Sequence, residues 1–162
     1  MLAGIHFFSA SIIGLKFLNS PLLALIFGFF LHHLEDLLPH LDLNIFNKPE
    51  YESIKNWDFK AFVLFILEFS FFFLLTFYFL GRYPLNKQLI AFWAGVGALL
   101  PDIISFSLKS FFPKLKIFNF YLNFHKKYHF QLKAKKFTDY FQPILIEGLI
   151  IALCLYLVNN IH

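Results

Sequence analysis

Two stretches of about twenty residues decide what this chain can fold into. Ala61–Leu80 carries a single charge, Glu68, and Leu89–Leu108 carries only Asp102. A hydrocarbon layer about 30 Å thick is crossed by about 20 apolar residues rising about 1.5 Å each, and both runs reach that length. The stretch Phe69-Ser70-Phe71-Phe72-Phe73-Leu74-Leu75 is apolar on every side, more than the stripe of a soluble amphipathic helix requires. A third run, Phe141–Val158, is slightly shorter and carries Glu147, with Pro143 tolerable in its first turn. Two further apolar segments, Leu2–Phe17 and Pro21–Leu38, are short and divided by Asn19-Ser20, which makes them tilted spans or a re-entrant hairpin. Either way the chain returns to the face it started from. The sequence thus predicts a single integral membrane domain, 1–162. It is an all-α, polytopic helix bundle of about five apolar segments, with an amphipathic interfacial helix.

Composition points the same way. Hydrophobic residues make up 59% of the chain and charged residues 15%, against about 45–50% and about 25% in an ordinary soluble domain. Cys154 is the one cysteine, so no internal disulfide can form and the fold asks for no oxidising compartment. The first apolar run has neither a basic leader nor a small-residue cleavage site after it, and it reads as part of the domain rather than as a removable signal.

Lysine and arginine set the expected orientation, since basic loops stay on the cytoplasmic side. With five segments, the N-terminus, the loop 39–60 and the loop 109–140 share a face. That face holds Lys48, Lys55, Lys60, Lys109, Lys114, Lys116, Lys126, Lys127, Lys133, Lys135 and Lys136, while Lys16, Arg82 and Lys87 fall on the other. The expectation is a bacterial cytoplasmic (inner) membrane protein with its N-terminus inside and its C-terminus outside. Lys109–Lys136 interleaves lysines with Phe111, Phe112, Leu115, Phe118, Tyr121, Phe124 and Phe130 and contains no acid. Such a segment belongs in the headgroup layer, where each lysine gains on the order of 1 kcal/mol from anionic lipid. The flanking spans argue against a nucleic-acid partner for the same pattern, and nothing in the sequence fixes an oligomeric state. Asn19, Leu22, Ala24 and Gly28 also match Asn86, Leu89, Ala91 and Gly95 at identical spacing, as two helix pairs in one orientation would.

On this map the acids and histidines collect at one face. His6 lies in the first turns from the inside, and His32, His33, Glu35, Asp36, His40 and Asp42 cluster where the second segment returns. Asp102 in the fourth segment and Glu147 in the fifth each sit about 9 Å beneath that face, with Glu68 a little deeper. His125 and His129 belong to the basic loop covering it. A charge at the middle of a membrane helix costs at least about 2.5–3.5 kcal/mol and is normally kept for a task. The expected feature is a polar pocket open to the cytoplasmic side.

The spacings have chemical content. His32, Asp36 and His40 stand at i, i+4 and i+8 and would share a helix face, except that Pro39 ends or kinks the helix and re-aims His40. His125 and His129 repeat the i, i+4 step that lets two imidazoles share one metal ion. With His6 and Asp102 these groups supply nitrogen and oxygen donors for one or two divalent ions. A thiolate-free donor set suits zinc, manganese or iron.

Three motifs carry a resemblance. His32-His33-Leu34-Glu35-Asp36-Leu37-Leu38-Pro39-His40-Leu41-Asp42, then Gly97-Ala98-Leu99-Leu100-Pro101-Asp102, then Phe124-His125-Lys126-Lys127-Tyr128-His129 resemble a family of small bacterial membrane-bound metal-dependent hydrolases. That family is itself distantly similar to the all-helical zinc-dependent phospholipases C. Its members tend to start with a histidine before a glycine-containing helix, as His6 and Gly14 do here, and the resemblance runs from His6 to His129. It implies His6, His32, Asp36, His40, Asp102, His125 and His129 as metal-pocket residues, with zinc as the metal. The family's serine before the first motif histidine is Leu31 in this chain, so no hydroxyl is supplied there.

Hydrolysis of a phosphoester or ester of a lipid-like substrate is the activity this implies. The metal would acidify a water and polarise the scissile oxygen, while Asp102 and His125 handle protons. An ion- or proton-handling transporter would instead use Glu68, Asp102 and Glu147 as a relay, and it requires polar groups through the outer half of the spans, where almost none occur. A non-catalytic membrane scaffold would use the same groups as ion pairs that fix helix packing.

Overall fold

The computed structural model describes residues 2–40, 59–112, 118–128 and 141–160. Those residues form an all-helical bundle of α1 (Ala3–Phe17), α2 (Pro21–Asp36), α3 (Phe59–Leu80), α4 (Leu85–Phe111), α5 (Asn119–Tyr128) and α6 (Phe141–Asn159). Proline punctuates it. Pro21 opens α2 in the first turn, where its missing N–H leaves no bond unmade, and Pro84 precedes α4. At the other end of α2, Pro39 disfavours helical backbone at Leu38, and the helix stops at Asp36 rather than at the expected Leu38.

Among the described residues, three helices are long and apolar enough to cross a membrane: Phe62–Leu80, Leu85–Phe111 and Phe141–Asn159. The five segments expected from the sequence are therefore not five full-length spans. α1 has 15 residues and α2 has 16, so each is only about 22–24 Å long. For α1 the physical reason lies in its neighbours. It runs through the middle of the bundle against α2, α3, α4 and α6, and nearly every residue from Gly4 to Leu15 is buried. Its all-round apolar character serves protein partners, not lipid. By contrast, only 22% of each of the α3 and α6 spans is buried inside the protein, against 44% of α4. Side chains such as Leu67, Phe71, Leu74, Leu149 and Leu153 point outward, and that surface is stable only in an apolar surrounding.

The closest helix pair is α2 with α4. A methyl group placed on Gly28 would collide with the Ala94 carbonyl, and one on Gly97 would collide with the Leu25 carbonyl. The two backbones touch at these glycines, as small residues allow between membrane helices. Ala10, Ala24, Ile90, Ala94 and Ala98 close the seam around them. The two glycines matched in the suggested internal repeat meet different neighbours. Gly28 meets α4, whereas a methyl on its partner Gly95 would meet Ser11 and Phe7 of α1.

Lys16, Arg82 and Lys87 all sit at one end of the bundle. Lys16 Nζ donates to the Asn160 carbonyl at 3.0 Å, and Lys87 Nζ to Asn19 Oδ1 at 3.1 Å. Arg82 lies over the Tyr78 and Phe79 rings, and the Tyr83 hydroxyl donates to the Val158 carbonyl at 3.0 Å. These contacts tie the ends of α1, α3 and α6 to the starts of α2 and α4. The start of α1 and the end of α2 are thereby carried to the opposite end, together with α5.

Candidate metal centre

At that opposite end, one carboxylate gathers four histidines from four stretches of chain. Asp36, in the last turn of α2, is 1% exposed. His32 is one helical turn earlier, and its Nε2 lies 3.0 Å from Asp36 Oδ2. From α1, His6 Nε2 comes within 3.1 Å of Asp36 Oδ1. Beyond the Pro39 turn, His40 points back, with its Nε2 3.9 Å from the same oxygen. His125, brought in by α5, places its Nε2 3.8 Å from Asp36 Oδ2. Asp102, just after Pro101 in α4, presents Oδ1 3.7 Å from Nε2 of both His32 and His125.

The outward-facing side of each ring is accounted for separately. A carboxylate or a carbonyl only accepts, so His6 Nδ1–H donates to Glu35 Oε2 at 2.6 Å and His40 Nδ1–H donates to the Leu38 carbonyl at 2.7 Å. His125 Nδ1 meets Ser105 Oγ at 3.1 Å. Once Nδ1 holds the proton, a neutral imidazole has its lone pair on Nε2. His40 then turns its Nε2 lone pair towards Asp36 Oδ1, and His6, with a carboxylate at each nitrogen, satisfies both only with a proton or a cation between Nε2 and Asp36 Oδ1. A ring nitrogen tied to an outer carboxylate, carbonyl or hydroxyl is the usual setting of a metal-binding histidine. His32 differs: its Nδ1 is buried with no hydrogen-bond partner among the described residues.

The donor spacing also fits an ion. His32 Nε2, His125 Nε2, Asp36 Oδ2 and Asp102 Oδ1 give five separations of 3.0, 3.4, 3.7, 3.7 and 3.8 Å. Four ligands about 2.0–2.1 Å from a tetrahedral ion stand about 3.3–3.4 Å apart, and these five of the six separations lie within about half an ångström of that spacing. A ligand atom each from His6, His32 and Asp36 also lies within 4.8 Å of the others, and the same holds for His32, His33 and His125. These buried histidine and aspartate groups could hold a metal ion.

α5 is the wall that closes the centre. His125 stacks between two rings, at 5.6 Å and 15° to His32 and at 6.1 Å and 11° to Tyr121. The Tyr121 hydroxyl donates to the Pro101 carbonyl at 3.1 Å and fastens α5 to α4 beside Asp102. Burial pushes the Tyr121 phenol up to about 12, so it stays a neutral donor. Asp102, with 35% of its side chain exposed, and His125, with 10%, are the donors that face the outside.

Of the seven residues expected from the sequence, His6, His32, Asp36, His40, Asp102 and His125 meet here. His129 lies outside the described residues, as do Asp42 and parts of the basic stretch Lys109–Lys136. Leu31, at the position of the family serine, packs against the Ala10–Ala94 cluster. Glu68 belongs elsewhere: its Oε1 accepts the Gly4 N–H at 2.9 Å, at the start of α1. Glu147 is buried on α6. Glu35, placed in the cluster by the sequence but given no role there, is a partner of the centre, and sequence reasoning missed Ser105 and Tyr121. Helical spacing does point to both, since Ser105 follows Asp102 by three residues and Tyr121 precedes His125 by four. Comparison with family models, with curated proteins and with solved structures finds no match to this chain.

Proposed function

We propose that this chain is a membrane-embedded metal-dependent hydrolase that cleaves a phosphoester or ester bond of a lipid-like substrate at the cytoplasmic face. The observation that supports it most is the convergence of four imidazole Nε2 atoms on the two oxygens of Asp36, with Nδ1 of His6, His40 and His125 each engaged elsewhere. The resemblance of its three motifs to membrane-bound metal-dependent hydrolases adds the reaction class. Zinc suits the thiolate-free donor set, and manganese or iron fits the same ligands.

His32, Asp36, Asp102 and His125 would hold one ion, and His6 and His40 would meet a second at the other Asp36 oxygen. A divalent ion bound there supplies a Lewis acid for the scissile oxygen and lowers the pKa of a water towards about 7. Asp102, the most exposed carboxylate of the group, takes the proton released when that water attacks. His125, reached from the same side and held by Ser105 and Tyr121, would deliver a proton to the departing oxygen when it does not complete the ion's shell. Lys109 and Lys127 flank this side in sequence, at the end of α4 and within α5, and draw an anionic headgroup to it. The apolar α3 and α6 surfaces keep the site at the membrane, where such a substrate is found.

The test is metal content and turnover together. Protein purified in detergent carries zinc, manganese or iron in at least stoichiometric amount and hydrolyses a phosphodiester or an anionic phospholipid in mixed micelles. Asp36→Ala loses both the metal and the activity. A wild-type preparation with no bound metal, or an Asp36→Ala preparation with the same metal content, defeats the reading. Retention of metal by wild type without hydrolysis of any ester tested would keep the centre and discard the reaction.

A further inference from the structure

Glu35 is a buried acid at the centre that meets the far side of a histidine ring. It is 6% exposed, next to Asp36 in the last turn of α2, yet successive helical residues point about 100° apart and Glu35 turns toward α1. Its Oε2 receives the Nδ1–H of His6 at 2.6 Å, while the other ring nitrogen of His6 faces Asp36 Oδ1 at 3.1 Å. The His6 side chain is fully buried, so water does not compete for either nitrogen. The ring is also held against His32, with centroids 4.2 Å apart. A charged acceptor at so short a distance fixes both the tautomer and the ring orientation and makes Nε2 a stronger donor to a cation.

We infer that Glu35 is a positioning residue for a divalent cation bound by His6 Nε2, Asp36 Oδ1 and His40 Nε2, setting the affinity of that inner position without touching the ion. The inference rests on the metal reading above and extends it to a residue of the first motif that the sequence did not assign to the metal pocket. His40 is held differently, by the neutral Leu38 carbonyl at 2.7 Å, and His125 by the Ser105 hydroxyl. His6 is backed by a carboxylate. The inner position has Glu35 behind His6 as its carboxylate besides Asp36, whereas the outer set of His32, Asp102 and His125 has Asp102 and does not depend on Glu35.

The experiment titrates zinc alone into metal-stripped, detergent-purified full-length protein against a chromophoric chelator. Wild type binds two equivalents. Glu35→Ala weakens one of them about 10–100-fold, the range of lost outer-shell partners, and leaves the other in place. Glu35→Gln keeps an acceptor for Nδ1–H but removes the charge, and it recovers part of the loss. Asp102→Ala weakens the equivalent that Glu35→Ala spares. A merely structural role for Glu35 would weaken both equivalents together and show no recovery in Glu35→Gln, and that outcome overturns the inference. Wild-type affinity at both positions in Glu35→Ala overturns it as well. If Glu35→Ala does not fold, Glu35→Gln decides alone, an unchanged inner affinity being the overturning result. Failure of wild type to bind zinc removes the metal reading itself, and the inference with it.

Discussion

Asp36 and Glu68 are both carboxylates sunk among helices with few other charges, and α1 lies between them. On one side of its first turns His6 reaches across to Asp36 and Glu35; on the other the Gly4 N–H donates to Glu68. Asp36 is the meeting point of imidazoles from α1, α2, α5 and the turn after α2. Glu68 instead accepts one of the unpaired amides that every helix start exposes, and a negative charge is favoured there by the helix dipole. The first arrangement brings many donors to one carboxylate; the second supplies one acceptor to a single N–H. A buried acid in a membrane helix is therefore not by itself a functional signal, and its contacts distinguish an assembled ligand set from a helix cap.

Substitutions on the two sides of α1 can break that distinction. The largest effect is expected at Asp36: Asp36→Ala abolishes stoichiometric metal, read by mass spectrometry. Zinc at about 100 times its dissociation constant adds about 2.7 kcal/mol to wild-type stability and nothing to the variant. Next is Ser105→Ala, which frees His125 Nδ1 and weakens metal binding about 10–100-fold in a chelator competition, with little change in thermal stability. Gly28→Ala forces α2 off the Ala94 carbonyl and costs about 1–3 kcal/mol in thermal unfolding. It also loosens metal binding, because His32 and Asp36 move with α2. Gly148→Ala, where an added methyl meets nothing within 4 Å, is the matched control and leaves both properties unchanged or slightly improved. The smallest effect belongs to Glu68. Glu68→Ala removes the cap and costs about 0.5–2 kcal/mol, with metal content unaltered. Loss of metal in Glu68→Ala would place both acids in one functional network and erase the contrast.

The same pair shows how far the chain could be read in advance. One-sidedness was legible, because helix lengths and turn positions fix which segment ends lie together. His6, His32 and Asp36 do meet His125, although these residues are up to 119 positions apart. The spans of α3, α4 and α6 were legible from length and apolarity. The status of α1 was not. A helix apolar on all sides has the same sequence pattern whether lipid or other helices surround it, and only the packing shows α1 enclosed by its neighbours. Nor could spacing tell that Glu68 caps α1, since a lone acid in an apolar helix has the same sequence pattern whether it meets a helix start or a set of histidines.

By itself the sequence determined to within a few residues where helices start and stop, which runs are apolar enough to enter a membrane, and that His6, His32, Asp36, His40, Asp102 and His125 share one end of the bundle. These follow from proline placement, from residue counts against a fixed hydrocarbon thickness, and from the parity of chain reversals. The tertiary structure alone decided that α2 and α4 touch at Gly28 and Gly97, that α5 lays His125 over the centre, and which nitrogen of each imidazole faces Asp36. Those are matters of a few ångströms between segments far apart in the chain, set by side-chain shape at helix crossings, a quantity no periodicity along one helix records.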